Sequence, residues 1–275
     1  MGFFQCNFFS PTLCFNTDVH VFLPTPNSDE ILNNKHSDYF RAGVKFQVLY
    51  LLHGAYGDYG DWMRLTSIEK YAQEHKLAVV MPSASNSFYQ NMHRGSNYLT
   101  YISKELPSFI QSIFPVSAKR EDTFIAGLSM GGYGAVRVAF ELPENYAACA
   151  SLSGALDFAG VKNMVEAGAI TGPFRWDAIL ADKEEAETGD ANLFVLADKR
   201  MREGRTLPRL FQTCGTEDFI YPQNIVARDA FMRLGLDLTY EEHPGIHDWN
   251  YWDTHIQRVL DWFGLADDSI ADGRE

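Results

Sequence analysis

The sequence predicts an α/β protein built as a three-layer sandwich around a mostly parallel central sheet. Three observations carry this. The runs Lys45–His53, Ala78–Pro82, Thr123–Leu128, Ala147–Leu152 and Arg209–Cys214 are almost wholly apolar. Short strands without polar alternation are buried on both faces, as in a parallel sheet. Between them lie segments with apolar residues at helical spacing, and strands alternating with helices imply right-handed crossovers.

Composition narrows the class. The 275 residues are 46% hydrophobic, 14% aromatic and 21% charged, which excludes a disordered, collagen-like or disulfide-scaffold chain. Lys plus Arg number 23 against 36 Asp plus Glu, a formal charge of −13. So acidic a chain is poorly suited to a phosphate backbone, and nucleic acid is not an expected partner. No apolar run reaches the ~18 residues of a membrane helix, so no membrane partner is expected. The aromatic N-terminus Met1–Ser10 lacks the basic residues of a signal peptide. Cys6, Cys14, Cys149 and Cys214 contain no Cys-x-x-Cys pair and read as reduced, mostly buried thiols of a cytoplasmic protein.

The elements follow in order. Asn7–Pro24 alternates, with Val19, Val21 and Leu23 on one face, and reads as two antiparallel strands. Ser28–Arg41 is a polar surface excursion. Tyr98–Phe114 carries Tyr98, Ile102, Leu106, Phe109, Ile110 and Ile113 at helical spacing, with a kink expected at Pro107. Met130–Leu142 and Gln223–Leu234 are helical by the same rule. Leu238–Glu242 is the last strand, and His255–Phe263 lies in a closing helix. Ala155–Leu207 breaks the rhythm with Gly172-Pro173, Trp176 and the charged run Asp182–Glu187. It reads as a small cap-like insertion over one end of the sheet within a single domain, 1–275, whose polar tail 267–275 frays.

The most informative segment is Gly127-Leu128-Ser129-Met130-Gly131, a G-x-S-x-G motif lying between an apolar strand and a helical pattern. A nucleophile on a tight strand-to-helix turn has strained backbone angles. Side chains two positions to either side would collide, hence the glycines. The same turn puts Ser129 at a helix N-terminus, where free N–H groups favour developing negative charge.

A serine hydroxyl needs a base. Phe211–Asp218 is a strand ending in two acids; Asp218 opens the next loop and is the expected orienting carboxylate, with Glu217 the second candidate. After the last strand comes Glu242-His243-Pro244-Gly245-Ile246-His247, and His247 is the expected base. His243 and His247 share the spacing of a helical metal pair, but Pro244-Gly245 forbids a helix there and no metal site is expected. His243 reads as a strand-end histidine. Two N–H donors are expected for an oxyanion: Met130, next to the nucleophile, and Ala55, after Gly54. His53 is expected to brace that loop.

These residues carry a resemblance. Tyr50–Gly54, Val80–Asn86, Lys104–Pro107, Ala126–Gly134, Ser153–Ala155, Gly215–Tyr221 and His247–Trp249 resemble the α/β-hydrolase fold, and more narrowly the esterase D and tributyrin-esterase group with its acetyl-xylan and feruloyl esterase relatives. The likeness spans about 45 to 262. It implies a cofactor-free serine carboxylesterase for short acyl esters of small molecules, acetyl to butyryl, with Ser129, Asp218 and His247 as triad. It also implies self-association as a homo-oligomer. S-formylglutathione hydrolases share the Ser-Met-Gly-Gly elbow. His247–Trp252 looks more like the tributyrin and carbohydrate-ester branch, which ranks the thioesterase second. An acyltransferase on the same triad and a non-catalytic binding protein are the remaining readings. Tyr56, Trp176 and Trp249 are candidate pocket aromatics, and His93-Arg94 is a candidate contact for an acidic leaving group.

Overall fold

A computed structural model describes residues 1–33, 39–40, 42–265 and 270–271. Residues 34–38 and 41 of the expected surface excursion lie outside the described residues, as does the tail 267–275 apart from Ile270–Ala271.

The strands are β1 (Gly2–Ser10), β2 (Phe15–Leu23), β3 (Lys45–Phe46), β4 (Val48–Leu52), β5 (Ala78–Pro82), β6 (Thr123–Leu128), β7 (Ala148–Leu152), β8 (Arg209–Gly215), β9 (Leu238–His243) and β10 (Ile270–Ala271). Eight form the central sheet in the order β1-β2-β5-β4-β6-β7-β8-β9, and β3 pairs with β10. β2 is antiparallel to β1 and β5, and every other pairing in the large sheet is parallel. The N-terminal hairpin starts earlier than its alternation suggested. Phe3 packs on His20 and Phe22, and Phe8 stacks on Phe109 at 3.9 Å, so the first strand is held by aromatic contacts.

Every residue of β4 is buried, and the strand's two-residue period divides its side chains. Val48, Tyr50 and Leu52 enter one core and Leu49 and Leu51 the other. The helices are α1 (Ser28–Leu32), α2 (Asp61–Leu65), α3 (Ile68–Glu74), α4 (Tyr98–Thr100), α5 (Leu106–Ile113), α6 (Met130–Glu141), α7 (Phe158–Glu166), α8 (Trp176–Ile179), α9 (Lys183–Thr188), α10 (Leu193–Arg202), α11 (Tyr221–Leu234) and α12 (Trp249–Phe263). Buried side chains of α5, α6, α10 and α11 fill the first core, and those of α2, α3 and α12 fill the second, giving three layers.

Two details refine the expectation. The helix over 98–114 contains a wide π turn at Tyr101–Glu105, between α4 and α5. Pro107 has no N–H, and its ring would crowd the carbonyl of Ser103; widening the preceding turn relieves both. The segment 155–207 is mostly helical and not all of it is cap. Leu193, Leu196 and Ala197 of α10 are buried in the core, where α10 packs on α6 and α11 as an ordinary crossover helix.

Candidate active site

The elbow forms where β6 gives way to α6. Ser129 sits between them with φ 53° and ψ −119°, a left-handed conformation costing about 1–3 kcal/mol. The glycines explain how it fits. A Cβ on Gly127 would run into the backbone of Gly131, and one on Gly131 would lie 2.5 Å from the carbonyl oxygens of Leu52 and His53. The helix therefore crosses β4 and β6 at a spacing that admits no side chain at either position.

Ser129, His247 and Asp218, from three distant segments, meet at the ends of the parallel strands. Ser129 Oγ lies 2.9 Å from His247 Nε2. His247 Nδ1 lies 2.9 and 3.0 Å from the two carboxylate oxygens of Asp218. A carboxylate only accepts, so the ring proton is assigned to Nδ1, and Nε2 is left to accept the serine hydroxyl. The Asp218 side chain is fully buried, and its Oδ1 also accepts the Ile220 N–H at 3.0 Å. Phe219 and Trp252 flank the imidazole at 4.6 and 4.9 Å. Glu217, the alternative carboxylate, does not reach His247. It accepts the Gly245 N–H at 2.6 Å, which pins the histidine loop and holds the Glu217 carboxyl below its usual range. His243 stacks on His255 at 4.6 Å, away from the serine. Among the described residues no three His, Cys, Asp or Glu side chains gather as metal ligands would.

The residues expected to carry the donors share a cavity with Ser129. Ala55, Ser129 and Met130 line one cavity of about 300 Å³. Neither the Ala55 nor the Met130 N–H has an acceptor among the described residues. Met130 N–H opens α6, where the helix dipole adds positive potential. The Ala55 loop is braced by buried His53: the Ala84 N–H donates to His53 Nε2 at 2.9 Å, so Nδ1 carries the proton given to the Gly54 carbonyl at 2.7 Å. Burial pushes the His53 imidazole down, keeping it neutral. Tyr89 Oη donates to the His53 carbonyl at 2.9 Å.

Of the three expected pocket aromatics, Tyr56 and Trp249 line the cavity and Trp176 does not. Trp176 packs behind the wall, against Phe88, Phe158 and Phe174; Phe88 and Phe174 take the lining positions. His93-Arg94 does not line the cavity either. Its backbone N–H groups bond to Ile179 and Ala178. Sequence reasoning missed Phe88, Phe219, Trp252 and Asp61 as cavity residues. Only Trp252 had a signal, its place just after the histidine loop. Buried Cys149 and Cys214 have thiols pushed up by burial, while Cys14 is exposed and Cys6 only partly covered.

Comparison with known proteins places this geometry. The Esterase family model, described as "Putative esterase", matches residues 30–263. An acetyl esterase of Caldicellulosiruptor saccharolyticus is 34% identical over 98% of this chain and 100% of its own length. The solved structure of FphF, a fluorophosphonate-binding serine hydrolase of Staphylococcus aureus in a substrate-bound form, is 34% identical. It covers 97% of this chain and 99% of its own at a TM-score of 0.85. An S-formylglutathione hydrolase (FrmB) from Staphylococcus aureus is also 34% identical, covering 95% and 98% at a TM-score of 0.82.

Proposed function

This chain belongs to the esterase family and is a serine carboxylic ester hydrolase of the α/β-hydrolase fold, and from there we propose that it cleaves short-chain acyl esters, acetyl to butyryl, through an acyl-enzyme on Ser129. The observation that carries this reading is the hydrogen-bonded line Ser129–His247–Asp218 at the floor of a cavity bordered by two free N–H groups. His247 takes the Ser129 proton as Oγ attacks the ester carbonyl. Asp218 holds the tautomer and stabilises the imidazolium. The Ala55 and Met130 N–H groups receive the oxyanion, each donor contributing about 10²–10³ in turnover. His247 then protonates the departing alcohol, and a water activated by the same imidazole releases the acid.

Short acyl groups suit a cavity of about 300 Å³ walled by Val161, Ile170 and Phe174. The full-length likeness to an acetyl esterase supports the same substrate class. S-formylglutathione hydrolysis is the second reading, supported by the equally similar FrmB structure. Among the described residues no Lys or Arg lines the cavity, which ranks an anionic thioester lower. In this reading 1–275 works as one domain in the cytoplasm, where its cysteines stay reduced. The exposed Phe3, Phe4 and Phe9 of edge strand β1 support self-association. Among the described residues no helix is long and apolar enough to cross a membrane.

The test is a panel of p-nitrophenyl acyl esters, acetylated xylosides and S-formylglutathione, assayed with wild type and Ser129→Ala. The expected kcat/KM is highest for acetate to butyrate and is lost in the variant. A kcat/KM more than tenfold higher for S-formylglutathione would reverse the ranking.

A further inference from the structure

Asp61 lies at the first turn of α2 and lines the same cavity as Ser129. Only one of its oxygens is occupied: Oδ1 accepts from Arg64 Nη2 at 3.0 Å. No donor reaches Oδ2 among the described residues, and a side chain on Gly57 would collide with that oxygen, which places it against the loop carrying the Ala55 N–H. Arg64 is shared, since it also binds Asp58 at 2.9 Å. Two carboxylates against one guanidinium leave a negative charge in excess. Of the three residues only Asp61 lines the cavity; the Arg64 side chain is 54% exposed and faces water.

A charge at the cavity wall acts on any second charge brought into the cavity, and among the described residues no Lys or Arg lines that cavity. We propose that Asp61 is a specificity-determining residue that sets the enzyme's preference for uncharged esters by repelling substrates with a carboxylate on either the acyl or the alcohol side. Discrimination is a difference between two substrates, so a repulsive group contributes to it as fully as an attractive one. This inference rests on the esterase reading of the Ser129 site.

The experiment compares p-nitrophenyl hemisuccinate with p-nitrophenyl butyrate, acyl groups of similar length that differ in charge. The readout is the ratio of their kcat/KM values, so any general loss of activity cancels. In Asp61→Asn, which keeps shape and removes charge, the hemisuccinate-to-butyrate ratio is expected to rise about fivefold or more, the scale of one partly screened charge. Asp61→Ser should raise it likewise, which guards against a misfolded Asn variant. An unchanged ratio in both variants, with butyrate still hydrolysed, overturns the charge filter and leaves the esterase reading standing. If wild type hydrolyses neither ester, both fall together.

Discussion

The backbone N–H of Ser129 donates to the carbonyl of Leu152 at 2.9 Å, tying the strained elbow residue to the end of the neighbouring strand β7. The Ser129 carbonyl in turn accepts the Ala155 N–H at 3.1 Å. The pattern repeats one strand further on, where Ser153, with φ 47°, donates to the Thr213 carbonyl of β8 at 2.8 Å. Each strained residue is thus hydrogen-bonded to the next strand, and the sheet holds the angles that a free turn would release.

Gly131→Ala should break this arrangement. The new Cβ would lie 2.5 Å from two carbonyl oxygens of the β4 end, so α6 must move off the sheet. A stability loss of about 1–3 kcal/mol is expected, the range for forced overpacking of a core contact. Chemical denaturation checks it, and kcat should fall as well, since the same movement displaces Ser129 and the Met130 N–H. A variant as stable and active as wild type would show that the close crossing is not needed.

Asp218→Asn keeps the shape of the side chain but not its acceptor pair. With an amide at this position His247 can carry its proton on Nε2, where it cannot accept from Ser129. A fall in kcat of about 10³–10⁴ on p-nitrophenyl acetate is expected, with a much smaller change in KM. A loss under tenfold would mean that the carboxylate does not set the tautomer.

His255 makes stability depend on pH. Burial pushes its imidazole down to about 4, with the neighbouring His243 acting in the same sense, and its Nδ1 has no partner among the described residues. Above about pH 6.5 the ring is neutral in both folded and unfolded chains and contributes nothing. Between about 6.5 and 4 the unfolded chain takes up a proton that the folded one does not, so stability falls with acidification by up to about 3 kcal/mol. In His255→Gln the drop over this window should be smaller by about 2 kcal/mol. Urea unfolding at pH 7 and pH 4.5 measures it, and equal drops in the two proteins would remove His255 as the cause.

What was legible in the sequence depended on whether one residue type has one use. β5 and β6 run over the residues expected because an uninterrupted apolar run this short, bounded by turn residues, suits a buried strand better than a helix. The elbow was legible because glycine is demanded at both flanks of the serine. Trp176 shows the limit: an aromatic behind a wall and an aromatic on it are the same letter, and Phe88 and Phe174 took the lining positions. Phe88 and Tyr89 have φ of 51° and 55°, a backbone turn that no glycine announced. Asp61 resembled any solvated acid near a loop, and nothing in the letters around it marked it as a cavity residue. Helices α2 and α3 went unread because their buried faces, Trp62 and then Ile68, Tyr71 and Ala72, are too short for a clear period.

The decisive measurement is mass spectrometry of the protein after reaction with a fluorophosphonate probe, compared with Ser129→Ala and His247→Gln. One adduct is expected, on the peptide containing Ser129, absent from the first variant and formed at least about a hundredfold more slowly in the second. An adduct on another residue, or wild-type labelling speed without the imidazole, would contradict a hydroxyl made reactive by His247.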